Sequence, residues 1–246
     1  MSPTHRRVAV KRTRRQLERE LAAVADPKRA IASAWFFKTG KGEYGEGDRF
    51  IGIRVPVQRK IALQYRTLTL NDIAHLLASK VHEHRLVALE ILVAQYENGS
   101  ETDRDKIFHF YLKNAARVNN WDLVDASAPY IVGEHLRTRP RDILYTLARS
   151  SVIWERRIAI VSTFAFIRAR EIQDTYRIAE ILMLDKHDLI QKATGWALRE
   201  TGKVSPSDLI LFLREHYASL ARTTLRYAIE RFSPEERKRM LAGQFS

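Results

Sequence analysis

Apolar residues recur at three- and four-residue spacing through nearly the whole chain, while alternating patterns bounded by turn residues are scarce. This periodicity predicts an all-helical protein. The expected helices run over roughly 9–24, 28–38, 56–66, 70–79, 83–97, 102–117, 120–136, 140–149, 153–169, 173–184, 187–201, 206–216, 219–231 and 234–242, several opened by Asp, Ser, Asn or Pro. Small residues return at Ala88, Ala126, Ala159, Ala193 and Ala228, at intervals of 38, 33, 34 and 35 residues, about one helical hairpin each. That is the period of an α-solenoid. A hairpin cannot bury its apolar face alone, so neighbours stack and leave a concave surface lined by the second helix of each pair. The consensus of a tetratricopeptide or ankyrin array is missing. The expected architecture is therefore an α-solenoid of HEAT-like hairpins with a concave basic cleft, one domain over 1–246 with residues 1–10 as a disordered basic tail. A globular helical bundle is the alternative.

Composition narrows the partner. Hydrophobic residues make up 45% of the 246, ample for a core, and Lys plus Arg outnumber Asp plus Glu by 42 to 29, a formal charge of +13. Such an excess points to a polyanion, nucleic acid first. An anionic membrane surface would also attract it, but no apolar run reaches the length of a span and no lipidation signal is present. The chain has no cysteine, which excludes disulfides, thiolate catalysis and cysteine-ligated metals and suits a reducing interior. Arg6, Arg7, Lys11, Arg12, Arg14, Arg15 and Arg19 crowd the start without the apolar stretch of a secretory signal, so a cytoplasmic location is expected.

In the repeat register Arg157, Lys192 and Arg226 occupy equivalent positions, 35 and 34 residues apart, with Arg85 near the same phase. They predict a basic stripe on helices that also carry Trp121, Trp154 and Trp196. A charge stripe is often only a solvated face. Interleaved with aromatics, it is what a nucleic-acid groove requires, since phosphates supply affinity and flat rings engage bases or sugars.

Two apparent motifs carry less. Gly40-Lys41-Gly42-Glu43-Tyr44-Gly45-Glu46-Gly47 contains Gly-x-Gly-x-x-Gly, but the aromatic helical stretch Trp35-Phe36-Phe37 precedes it where a strand is needed, and Glu43 and Glu46 oppose phosphate. It reads as a flexible connection. His82, Glu83 and His84 suggest metal ligation, yet adjacent residues diverge on a helix, and a solvated helix start with Glu83 at the positive dipole end accounts for them. Nucleophile elbow, His-Glu-x-x-His and Walker sequences are missing, so no metal or nucleotide cofactor is expected.

The most informative segment is Asn119-Asn120-Trp121-Asp122-Leu123-Val124-Asp125. Trp121 and Asp125 share one helix face. Asp is a poor helix-interior residue, and Pro129 should disturb the turn that contains Asp125. If Asn120 caps the helix, Asp122 belongs to the first turn and is structural, whereas Asp125 lies a turn deeper and needs a cation or donors. Arg157 is one candidate, as a purely structural ion pair. The other is positive charge on a substrate, held between the indoles of Trp121 and Trp196, with Gly195 allowing a ligand backbone close approach. Trp154 is expected in the core.

These segments resemble the AlkD family of alkylpurine DNA glycosylases, HEAT-like proteins that excise cationic N-alkylated purines such as N3-methyladenine and N7-methylguanine. The resemblance spans most of the chain and is carried by Gly52-Ile53-Arg54-Val55-Pro56-Val57-Gln58-Arg59-Lys60, Trp121-Asp122-Leu123-Val124-Asp125 with Pro129, Ile153-Trp154-Glu155-Arg156-Arg157, and Ile190 to Glu200. It implies that Asp125 is the catalytic carboxylate, that Trp121 and Trp196 line the cleft, and that Arg157 contacts phosphate. A cleft tyrosine of the family falls at Phe36, losing its hydroxyl. The implied activity is metal-independent hydrolysis of the N-glycosidic bond in alkylated double-stranded DNA, by a monomer, with the lesion left in or near the stack. Two rival readings are a HEAT-repeat protein that binds DNA structures without catalysis and a protein-binding scaffold.

Overall fold

Side chains close the N-terminal ends of several helices. Thr13, Thr69, Ser100 and Ser233 each form a reciprocal capping box with the residue three positions on, and Asp26, Asn120 and Ser205 cap singly. The structure, a computed structural model, describes residues 12–245. The expected basic tail over residues 1–10, with Arg6 and Arg7, lies outside the described residues, as does Lys11. Within them the regular elements are all helical apart from an isolated bridge between Arg49 and Val81, and no helix is long and apolar enough to cross a membrane.

The chain divides into two compact units, residues 1–98 and 99–246. Unit 1 contains α1 (Arg14–Ala23), α2 (Pro27–Phe36), α3 (Val55–Ala62), α4 (Leu70–Leu77) and α5 (His82–Asn98). α5 is its axis, with α3 and α4 packed against it. Leu86, Ala88, Leu89, Ile91 and Leu92 are all buried there, so apolar surface encircles the helix instead of forming a stripe.

Unit 2 contains α6 (Glu101–Lys113), α7 (Trp121–Asp125), α8 (Glu134–Leu136), α9 (Asp142–Ala148), α10 (Ile153–Ser162), α11 (Phe164–Arg168), α12 (Gln173–Leu182), α13 (Asp188–Thr201), α14 (Pro206–His216), α15 (Arg222–Ala228) and α16 (Pro234–Leu241). α9 and α12 pair with α10 and α13, while α7, α10, α13 and α15 pack side by side in one row. The small-residue spacing marks this stacking: Ala88 in unit 1 and Ala159, Ala193 and Ala228 in unit 2 are buried, and only Ala126, which closes α7, is not.

Glycines allow the closest approaches within the row. A Cβ on Gly133 would lie 2.3 Å from the Ser162 carbonyl oxygen and 2.8 Å from Ala165 Cβ. On Gly195 it would lie 2.5 Å from both the Thr224 carbonyl oxygen and Tyr227 Cβ. In both cases the neighbours stand 29 and 32 positions further along, so one packing device is used twice. Gly195 thus serves helix packing, not the ligand approach expected of it.

Several expected helices are broken. The span 120–136 ends as a helix at Asp125, passes through a π-helical turn at Pro129–Gly133 and resumes as α8. Pro129 has no N–H to continue the ladder, so its predicted disturbance is found. The span 153–169 divides at Thr163, whose hydroxyl donates to the Ile160 carbonyl at 2.7 Å.

Candidate functional site

Asn120, fully buried, accepts from the Trp121 amide at 2.8 Å and opens α7. Asp122 follows in the first turn and accepts from the Leu123 amide at 2.9 Å, which is the structural role expected of it. From within, the Tyr111 hydroxyl meets Ser127 Oγ at 2.9 Å, and Ser127 donates to the Leu123 carbonyl at 2.6 Å. Burial pushes the Tyr111 phenol well up, so it remains a neutral brace. α7 is short but fixed at both ends.

Asp125 closes that helix, where the dipole disfavours an anion. Its carboxylate is met by Arg157 from α10: Nε donates to Oδ1 at 2.9 Å and Nη2 to Oδ2 at 2.8 Å, a bidentate pair. Arg157 Nη1 also donates to the Leu189 carbonyl at 2.7 Å, so one guanidinium joins α7, α10 and the start of α13. The Arg157 side chain is 6% exposed and that of Asp125 18%. Burial raises the Asp125 carboxyl above its ordinary value; Arg157 opposes the rise without cancelling it, and Asp122 adds to it.

The expectation for Arg157 changes accordingly. Nε and one N–H of each terminal nitrogen are engaged, leaving one N–H on each terminal nitrogen. Arg157 is foremost the residue that orients Asp125; a freely extended phosphate clamp does not describe it.

Trp121 is half-buried on α7, beside Asp125 in the helical register. Trp196 on α13 is also half-buried and tilts against Phe164 of α11, with ring centroids 4.4 Å apart and planes at 50°. Phe164 was hidden from sequence reasoning inside an uninterrupted apolar helix. Trp154 is buried, as core packing predicted. Lys192 pairs with Asp188 one turn earlier at 2.6 Å, and Arg226 is exposed on α15 next to Tyr227, a further ring beside Gly195 that repeat phase alone did not mark.

Arg85 does not belong to an exposed stripe. It is buried in unit 1, with Nη2 donating to Asp48 Oδ2 at 2.6 Å and Nη1 to the Ser79 carbonyl at 3.0 Å. Sequence phase could not reveal Asp48, which reaches it from a loop. Phe36 is 57% exposed at the end of α2, also in unit 1.

Glu83 and His82 are buried as well, which corrects the solvated helix start expected there. Glu83 accepts the amides of Ile51, Gly52 and Ile53 at 2.7–3.3 Å, and His82 Nδ1 lies 3.1 Å from Asp48. The Gly40 to Gly47 segment is likewise held in place. Glu43 and Glu46 accept from the amides of Gly40 and Gly42 at 2.9 and 2.8 Å, so the loop's own carboxylates occupy donors that a phosphate cradle would offer. Among the described residues no three His, Cys, Asp or Glu side chains converge as metal ligands.

A family model described as DNA alkylation repair enzyme matches residues 17–232. No curated protein matches the sequence significantly. Among solved structures, the chain is similar to a "Predicted DNA alkylation repair enzyme from Enterococcus faecalis", with a TM-score of 0.65 and 17% identity, over 85% of this chain and 97% of that one. At that identity the likeness concerns the fold.

Proposed function

The chain belongs to the family of DNA alkylation repair enzymes, and from that premise we propose that it is a DNA glycosylase that hydrolyses the N-glycosidic bond of cationic alkylated purines, N3-methyladenine and N7-methylguanine, in duplex DNA. The observation that carries this reading is the incompletely buried Asp125 carboxylate, oriented by Arg157 on a helix that also presents Trp121.

Alkylation at N3 or N7 makes the purine a cation and a good leaving group. The bond from C1′ to the base nitrogen breaks, its electron pair leaves with the base and neutralises it, and the sugar becomes oxocarbenium-like. Water oxygen then bonds to C1′ and its proton passes to the carboxylate or to solvent. Asp125 stabilises the developing sugar charge and positions that water, while Trp121 and Trp196 turn π faces to the electron-poor sugar. Arg157 holds the carboxylate ionised and aimed. Lys192 and Arg226 supply phosphate contacts. Arg85 is left out of this footprint because it is buried. The protein acts as a monomer without metal or cofactor.

One observation favours a second reading, DNA binding without excision: both Asp125 oxygens already accept from Arg157. Incubation with methylated duplex in the presence of chelator, followed by chromatography of freed bases, separates the two. Release of methylated purine supports the glycosylase; salt-sensitive binding with intact glycosidic bonds overturns it.

A further inference from the structure

α13 is capped by an imidazole. His187 Nδ1 accepts from the Leu189 amide at 3.2 Å, whereas the other side-chain caps of the described helices use an oxygen of Ser, Thr, Asp or Asn. Because the amide is the donor, Nδ1 carries a lone pair, and the proton of the neutral ring sits on Nε2. The segment around this cap is tied to α10 twice. Arg156 Nε donates to Asp185 Oδ2 at 2.6 Å, and Asp185 Oδ1 accepts from the His187 amide at 2.8 Å, while the Asp185 carbonyl receives Gln191 Nε2 at 2.9 Å. The second tie is the Leu189 carbonyl, which accepts from Arg157 Nη1 at 2.7 Å. Leu189 therefore has its N–H on the His187 ring and its carbonyl on the guanidinium that orients Asp125.

We propose that His187 is a positioning residue for the Asp125 carboxylate: its neutral ring fixes the first turn of α13, that turn presents the Leu189 carbonyl, and the carbonyl holds Arg157 so that its other N–H groups meet Asp125. A guanidinium is planar, so fixing Nη1 restricts where Nε and Nη2 can point. Protonation breaks the chain at its first link. Nδ1–H would then face the Leu189 N–H and set a cation at the positive end of α13. Burial is the largest influence on the ring and disfavours that proton, as do Arg156 and Arg157 of α10; Asp185 and Asp188 favour it, although Asp188 is itself paired with Lys192 at 2.6 Å. The balance keeps the imidazole below its ordinary value, so it is neutral at neutral pH. The proposal deepens the glycosylase reading and rests on it only where base release is measured.

The test uses the full chain, first without DNA. Nitrogen NMR of the wild-type imidazoles at neutral pH, with the His187 signals identified by their loss in His187→Asn, should show Nδ1 unprotonated and Nε2 protonated; the opposite tautomer overturns the proposal. The Asp125 carboxyl is then titrated by carbon NMR and assigned with D125N. His187→Ala should move its midpoint higher by about half a pH unit or more, because a loosened Arg157 opposes the rise less, and His187→Asn, whose amide oxygen restores the cap, should return it. The double variant H187A/R157Q should titrate as R157Q does, since the effect passes through Arg157. On methylated duplex H187A should slow release about five-fold at unchanged duplex affinity, with H187N close to wild type. A residue that merely holds α13 would lower Tm in H187A and leave the Asp125 midpoint in place. That result overturns the proposal, as do shifts that add in the double variant or unchanged release by H187A. A wild type that frees no base would sink the glycosylase reading and leave the titrations to decide this one.

Discussion

Each unit contains a buried Arg–Asp pair joining segments one repeat apart, yet their carboxyls behave in opposite ways. Asp48 in unit 1 is 6% exposed and is met by both Arg85 and His82. Burial alone would raise its carboxyl, but the two partners together bring it below the ordinary value. Asp125 in unit 2 is more exposed and has Arg157 alone, and its carboxyl is raised. Two partners make a satisfied lock for a loop. One partner leaves a carboxylate whose charge is incompletely compensated, which is the condition for it to gain from positive charge arriving on a substrate.

The contrast breaks most directly on substitution to Asn. D125N should lower base release by on the order of 10²–10³, measured on the folded protein, as expected when a transition-state charge partner is removed. D48N should leave the rate of the folded protein unchanged and cost about 3–5 kcal/mol, read from denaturant midpoints, because Arg85 is left buried beside a neutral amide. Equal rates for D125N and wild type would remove Asp125 from the chemistry.

The pH dependence of stability sharpens the contrast. Asp48 has a folded value below its unfolded one, so its stabilisation is complete above the unfolded value and is lost as pH falls through the folded value. Asp125 has the reverse order: its contribution is present below the ordinary value of 3.8 and is lost as pH rises through the raised folded value. At neutral pH D125N should therefore cost less than D48N, and Tm measured across pH should show the two differences from wild type sloping in opposite directions.

Arg157 tests the same idea through rate. On the proposed mechanism release requires the ionised carboxylate, so it should decline as pH drops through the Asp125 pKa, which is raised above 3.8. R157Q removes what opposes the rise, and the acid limb of the pH–rate profile should move to higher pH. An unmoved limb would mean that Arg157 does not set the charge of Asp125. A smaller effect is expected at Gly195→Ala, where the new Cβ meets the Thr224 carbonyl oxygen; overpacking should outweigh the gain in helix propensity and cost about 1–3 kcal/mol, seen as a lowered Tm.

The helical class and hairpin period were legible because they depend on local spacing, and Pro129 announced the break after Asp125. Asn120 as cap, Asp122 as a first-turn acid and Trp154 as core could be read for the same reason. Arg85 and Glu83 were misjudged because their partners, Asp48 and the 51–53 amides, arrive from a loop 30 to 37 positions upstream in the chain. Gly195 was misjudged because helical periodicity does not say which face meets the next helix. The Arg157–Asp125 pair was open to two readings in the sequence, and only geometry displays the guanidinium spending itself on the carboxylate and on Leu189.

Gly133 and Gly195 meet their neighbours at identical offsets along the chain. Such matched contacts act as register pins: a residue gained or lost within the helices that follow either glycine would slide a carbonyl or a side chain into the gap that the missing Cβ keeps open. Insertions in this unit should therefore be tolerated in the loops between helices, and not within the helices that carry a pin or its contact.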